Sequence, residues 1–300
     1  MGKKSPRQTP WCERPPFRLD LPSGRVLDMG PRPLVMGVLN VTPDSFSDGD
    51  QFFQHTSAVE HAREMCAQGA DVIDVGGAST RPGSEPVSAQ EENRRVVPVI
   101  SELAAEITVP ISIDTQKADV AAAALEAGAE IINDVSALRT DPQMARLAAE
   151  RKVPVVLMHM QGTPRMMQQS PTYAEVVSEV IAWLEERVRH AVAQGIAQER
   201  LIVDPGFGFG KTVQHNLELL RRLHELHRLG RPILAGTSRK AMIGRILGRP
   251  EGERLYGTLA TVASAVLSGC HMVRVHDVRP ALEAVQVCEA IRRGGEYADD

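Results

Sequence analysis

Short apolar runs alternate with longer amphipathic stretches along most of the chain. The runs are LVMGVLN (34–40), DVIDVGG (71–77), ISID (111–114), IIND (131–134), VPVVLMHM (153–160), LIVDPG (201–206), PILAGTS (232–238) and MVRVHD (272–277). Their length and richness in Val and Ile predict buried strands. Helical patterns lie between them. One covers residues 57–68 and stops at Gly69, and a second opens on a capping box, Ser88-Ala89-Gln90-Glu91. KADVAAAALEA ends at Gly128, a left-handed cap, and further helices cover residues 173–194 and 280–292. Ahead of the first run, Phe17, Leu19 and Leu21 alternate with polar residues, and Val26 and Leu27 follow a turn at 22–24, which predicts a short hairpin.

Strand–helix alternation implies right-handed crossovers and a parallel sheet. Eight units close into a barrel, and 300 residues suit the ~250 that one such barrel needs. The predicted fold is α/β, a single-domain (β/α)₈ barrel over residues 16–295 with a short N-terminal hairpin, after a flexible polar tail, 1–15. A doubly wound open sheet fits the length and unit count less well.

Nearly every run ends in a group able to do chemistry: Asn40, Asp74, Asp114, Asn133 and Asp134, His159, Asp204, Ser238, His276. Strand C-termini and the loops after them build the active site of such barrels. Asp and Asn also cap helices, which accounts for one or two of these positions but not for all.

The loops add detail. Residues 40–53, NVTPDSFSDGDQFF, are non-helical in pattern and carry Asp44, Asp48 and Phe46. Residues 74–86 place Thr80, Arg81 and Pro82 after Gly76-Gly77, a setting suited to an anion. In DPGFGFGK (204–211), glycines free the backbone, while Phe207 and Phe209 offer flat walls for an aromatic ligand; one of the two is expected to pack beneath the loop. In GTSRKAMIG (236–244) a helix is expected to start near Ser238 with its N–H groups aimed at an anion, and one of Arg239 and Lys240 to face the barrel. Arg274 and His276, two apart on the last strand, share a face and form an anion clamp.

Composition narrows the class. Net charge is −4, which disfavours nucleic-acid or anionic-membrane partners. Cys12, Cys66, Cys270 and Cys288 lack metal or disulfide spacing and read as reduced thiols of a cytoplasmic protein. No apolar run approaches a membrane span, and the basic N-terminus lacks the apolar stretch of a secretory signal.

Taken in order, MGVLNVTPDSFSDG, DVGGASTRPG, SIDT, IIND, LMHMQG, DPGFGFGK, SRK and RVHDV closely resemble the signatures of the dihydropteroate synthase family over residues 17–290. The resemblance implies a (β/α)₈ enzyme that condenses 6-hydroxymethyl-7,8-dihydropterin pyrophosphate with 4-aminobenzoate, requires Mg²⁺, forms a homodimer and is a target of sulfonamides. By motif position it implies Asn40 as the Mg²⁺ ligand and Asp114, Asn133, Asp204 and Lys240 as the pterin pocket. Asn40, Thr80, Arg274 and His276 would hold pyrophosphate. Phe46, Thr80, Arg81, Pro82, Phe209 and Ser238 would form the 4-aminobenzoate side. Asp48, Asp114 and Lys240 would be the catalytic groups, with Asp48 assisting a cationic transition state.

The residue types agree. Asp204 can accept two adjacent pterin N–H groups, and Asn133 offers a donor and an acceptor. Loss of pyrophosphate beside an electron-rich ring gives an SN1-like path that needs no strong base. Asp50, Ala78, Gln116 and Thr237 depart from the usual family residues without removing any of these groups. An inactive pterin-binding paralogue, a pterin-dependent methyltransferase and a Schiff-base lyase are the competing readings. The complete set of side chains disfavours the first. The Thr80-Arg81 and Ser238-Arg239-Lys240 sites disfavour the second, and the placing of Lys240 at a helix start rather than on a strand disfavours the third.

Overall fold

The computed structural model describes residues 11–42, 51–79, 87–162, 167 and 171–294, and for 51–54 the backbone only. A two-stranded antiparallel hairpin, β1 (Phe17–Asp20) and β2 (Val26–Met29), precedes eight parallel strands. These are β3 (Leu34–Asn40), β4 (Val72–Gly76), β5 (Ile111–Asp114), β6 (Ile131–Asp134), β7 (Val155–Met158), β8 (Leu201–Asp204), β9 (Leu234–Ala235) and β10 (Met272–Val275). Their order is β8-β7-β6-β5-β4-β3-β10-β9. A bridge between Val203 and Ile233, with Val203 N–H donating to Pro232 O at 2.9 Å, joins the two ends and closes the barrel. The expected eight-stranded barrel and its hairpin are both present.

The helices are α1 (Gln51–Ala67), α2 (Ala89–Glu106), α3 (Ala118–Glu126), α4 (Gln143–Arg151), α5 (Val176–Ala193), α6 (Val213–Arg221), α7 (Ala241–Leu247), α8 (Leu255–Leu267) and α9 (Val278–Arg293). Three sequence expectations need correction. First, α1 starts at Gln51 rather than near residue 57, so the end of the presumed loop is helical. Second, only half of the capping box at α2 forms. Ser88 accepts from Glu91 N–H at 3.1 Å, but the Glu91 carboxylate turns outward to Arg94 and Arg95, where a charged donor outcompetes a backbone N–H. Third, residues 11–14 lie against the barrel and are not a free tail. Arg14 is buried, donates to Cys270 O at 2.6 Å and pairs with Glu289.

Packing occurs in two shells. The larger lies between strands and helices: Val35, Leu39, Ile73, Ile113, Ile132, Leu157 and Val203 meet helix residues such as Met65, Val99, Leu184 and Val285. The smaller fills the barrel. It brings one or two inward residues from most strands, including Leu34, Met36, Val72, Ile131, Val156, Ile202, Leu234 and Met272, against Leu19, Leu21, Leu27 and Met29 of the hairpin. The hairpin therefore plugs the N-terminal end. Successive strand side chains point to opposite faces, so the next inward residue is two positions further on. That residue is Asp74 after Val72, Asn133 after Ile131, Asp204 after Ile202 and Arg274 after Met272. The alternation that packs the floor thus sets a polar layer immediately above it.

Candidate active site

The polar layer sits at the strand C-termini. Backbone register places Asn40 beside Gly76, Gly76 beside Asp114 and Asp114 beside Asn133. Arg274 reaches across from β10. Its Nε donates to Asp74 Oδ2 at 2.6 Å and its Nη2 to Asp114 Oδ2 at 2.8 Å. Asn133 Nδ2 donates to the same Asp74 oxygen at 2.9 Å. Burial pushes the Asp114 carboxyl upward, and Asp74 adds to that shift while Arg274 opposes it.

On the opposite wall, Asp204 is buried and accepts from Gly206 N–H at 2.7 Å. Burial raises its pKa to about 6 against the pull of that bond and of Lys240, Lys211 and Arg274. Gly236 keeps the space between Asp204 and Arg274 open: a Cβ there would lie 3.9 Å from both side chains.

Next, residues 205–211 wrap the rim. Gly206 has φ +67°, and a Cβ on it would collide with the carbonyl oxygen of His159. The turn therefore requires glycine. Beneath it, Lys211 is buried, and its ammonium contacts His159 Nδ1 (2.8 Å) and donates to Gly206 O (2.9 Å) and Phe209 O (3.0 Å). Burial lowers the Lys211 pKa to about 7 and that of His159 to about 2. His159 is therefore neutral, with Nδ1 the acceptor. Phe207 packs into the main core, whereas Phe209 joins Val135, Met158, Met160 and Met167 at the mouth. The Lys240 ammonium lies 4.2 Å from the centre of the Phe209 ring.

In the segment after β9 the structure departs from expectation. α7 starts at Ala241 with Lys240 as its N-cap residue, so Ser238 is not at a helix start. Instead Ser238 Oγ accepts from His276 N–H at 3.2 Å and lies 3.0 Å from His276 Nδ1. The Ser238 hydroxyl thus bonds both the backbone and the ring of His276 and fixes how the imidazole sits at the mouth. Burial, then Arg274, Arg239 and Lys240, hold the His276 pKa down at about 3. Arg239 turns away in a bidentate pair with Asp277 (3.1 and 2.6 Å), so Lys240 is the residue of the two that faces the site.

Accordingly, Asn40, Asp114, Asn133, Asp204, Phe209, Ser238, Lys240, Arg274 and His276 gather at one mouth. Asp44, Phe46, Asp48, Asp50, Thr80, Arg81 and Pro82 fall outside the described residues. Sequence reasoning counts Asp74 and His159 among the strand-end groups without assigning either a particular role, and leaves Lys211 unassigned. Their signal is present all the same: Asp74 stands in β4 two positions after an inward Val, and Lys211 closes the glycine loop. No cluster of three metal-ligating side chains occurs among the described residues.

The family described as pterin binding enzyme matches residues 36–276. A dihydropteroate synthase of Escherichia coli is 48% identical over 267 residues, spanning 89% of this chain and 94% of that one. The chain belongs to the dihydropteroate synthase family. Solved members of the family share its backbone. The Xanthomonas albilineans enzyme with 4-aminobenzoic acid has a TM-score of 0.88 at 45% identity, over 94% of this chain and 100% of that one. The same enzyme in complex with 7,8-dihydropteroate gives 0.84 at 44%, over 93% and 100%. A Yersinia pestis dihydropteroate synthase in a sulfonamide drug complex gives 0.87 at 45%, also over 93% and 100%.

Proposed function

We propose that this protein is a dihydropteroate synthase, a transferase joining 6-hydroxymethyl-7,8-dihydropterin pyrophosphate to 4-aminobenzoate in folate biosynthesis. The observation that carries the reading is the juxtaposition, at one barrel mouth, of buried Asp204 and Asn133 with Arg274 and His276. The catalytic domain is the barrel, residues 16–295. Asp114, Asn133, Asp204 and Lys240 bind the pterin. Asp204 accepts its neighbouring N–H donors, and burial makes an unmatched donor costly there. Arg274, His276, Asn40 and Thr80 hold the pyrophosphate. Phe46, Thr80, Arg81, Pro82, Phe209 and Ser238 receive 4-aminobenzoate.

In the reaction, the bond between the pterin CH₂ carbon and the pyrophosphate oxygen breaks, and its electron pair leaves with pyrophosphate. The arylamine lone pair forms the new C–N bond, and the amine then releases one proton to water or pyrophosphate. Donors preset against the leaving oxygens favour that charge as it develops. Asp114, Asp48 and the electron-rich ring stabilise the opposing cation, and Lys240 orients the heterocycle. Asn40 offers one amide oxygen at the mouth, which suits Mg²⁺, an ion usually held by one or two protein oxygens with substrate phosphates and waters. Once bound, Mg²⁺ would neutralise pyrophosphate charge.

A homodimer is supported by exposed Ile246, Leu247 and Tyr256 on neighbouring α7 and α8. A cytoplasmic setting is supported by the four free cysteines. No described helix is long and apolar enough to cross a membrane. Sulfonamides, carrying the same aryl amine, should compete with 4-aminobenzoate.

The test is pyrophosphate release by purified protein with both substrates and Mg²⁺. Release that depends on 4-aminobenzoate and yields dihydropteroate supports the assignment. Pterin binding without release points to the inactive paralogue.

A further inference from the structure

Asp74 is fully buried on the inner face of β4, and among the described residues only one of its oxygens is used. Oδ2 accepts from Asn133 Nδ2 at 2.9 Å and from Arg274 Nε at 2.6 Å. Oδ1 has no hydrogen-bond partner among the described residues. A carboxylate can only accept, so the edge of Asn133 turned toward it must be the NH₂ edge. The amide is planar, and its oxygen must then point away from Asp74. Without this contact the two edges of Asn133 would be nearly interchangeable in shape, and either could face a ligand.

We infer that Asp74 is a positioning residue: it sets Asn133 with its oxygen toward the pterin and ties that amide to the guanidinium facing the leaving group. This rests on the function proposed above. It makes Asn133 an acceptor, in line with Asp204, so that the pocket selects a heterocycle presenting N–H donors on both sides. Pairing Arg274 through Nε leaves the guanidinium plane fixed by β4 as well as by its own strand. The same oxygen thus sets the orientation of one group at each half of the substrate.

The prediction is an exchange of roles. Asn133→Asp sets two carboxylates edge to edge and should weaken free 6-hydroxymethyl-7,8-dihydropterin at least about tenfold. Asp74→Asn alone keeps an amide oxygen where Oδ2 stood and should cost no more than about threefold. The double variant, Asp74→Asn with Asn133→Asp, restores one amide and one carboxylate. The amide at position 74 then donates its NH₂ to the carboxylate at position 133, whose other oxygen still faces the pterin, while Arg274 gives up its Nε bond to position 74 and keeps its Nη2 bond to Asp114. Binding should recover at least about fivefold over Asn133→Asp.

Calorimetry with the free pterin on the full chain reads each step, with thermal unfolding to confirm the fold. Recovery in the double variant supports the inference, because a purely structural carboxylate would add a second defect. No recovery, or wild-type binding by Asn133→Asp, overturns it. Should Asn133→Asp not fold, Asp74→Leu with Asn133→Ala gives the answer. Losses that fail to multiply support the coupling, and losses that multiply reject it. A wild-type protein that neither binds pterin nor releases pyrophosphate would instead reject the proposed function, so the two failures are distinct.

Discussion

The Lys211 ammonium lies 2.8 Å from Nδ1 of His159, and both side chains are buried. A neutral imidazole supplies one acceptor, and the carbonyls of Gly206 and Phe209 supply two more, so all three ammonium protons have partners. The rim loop is thereby tied to β7 at one point. Lys211→Met should leave two acceptors, His159 Nδ1 and Phe209 O, unpaired, since Gly206 O keeps the Phe209 N–H, and lower stability by about 2 kcal/mol or more, at roughly 1–3 kcal/mol per unmatched group. Thermal unfolding measures this. 4-Aminobenzoate affinity should fall with it, because Phe209 belongs to the same loop. Unchanged stability would mean the lysine is not holding the turn.

Asp204 sets a pH dependence whose sign follows from its environment. Its pKa in the fold, about 6, stands above the ordinary 3.8. Its ionisation therefore costs stability: the cost is absent below about pH 4 and complete above about pH 6. Pterin binding runs the other way, because only the carboxylate accepts two N–H groups. Free-pterin affinity should fall as pH drops through about 6, approaching tenfold per unit. Asp204→Asn should bind weakly with that limb removed, and calorimetry across pH would show an unaltered limb if another group were responsible.

Arg274→Ala should weaken the pyrophosphate ester by at least about tenfold more than the free pterin, since charged hydrogen bonds are worth about 1.5–3 kcal/mol. Equal losses for the two ligands would make Arg274 a purely structural partner of Asp74 and Asp114. Chelating Mg²⁺ should likewise stop turnover while free-pterin binding persists.

Gly206→Ala should disrupt the rim. The added Cβ runs into a backbone oxygen, and the residue must keep a φ of +67°. The conformational cost alone is about 1–2 kcal/mol. Loss of cooperative unfolding, or a clear fall in melting temperature with loss of pterin binding, is the expected outcome. A stable variant that binds pterin would show that the turn can be rebuilt.

Much of this site is legible in the sequence because strand alternation is local. Ile131 and Asn133, or Ile202 and Asp204, reveal that an apolar residue and a polar one share an inward face. What escapes depends on distance. Asp74 meets Arg274 across 200 positions, and nothing local to DVGG announces that its carboxylate faces an amide and a guanidinium. Ser238 shows a related limit. Helix propensity near it suggests a start, whereas its hydroxyl is taken by His276, the residue just past the neighbouring strand β10, and α7 begins three residues later at Ala241. Glu91 likewise pairs with arginines rather than closing the cap that its spacing suggests.

The hairpin plug has a consequence for how this barrel can change. With Leu19, Leu21, Leu27 and Met29 sealing one end, the floor residues carry the cohesion, while the ring above them holds carboxylates whose burial opposes folding. Durability and reactivity are thus written into adjacent storeys of the same strands. Swapping Ile202 alters how long the molecule lasts, and swapping Asp204 alters what it can do. An occupied mouth relieves the charges that an empty one must tolerate, so substrate acts as the missing upper half of the core.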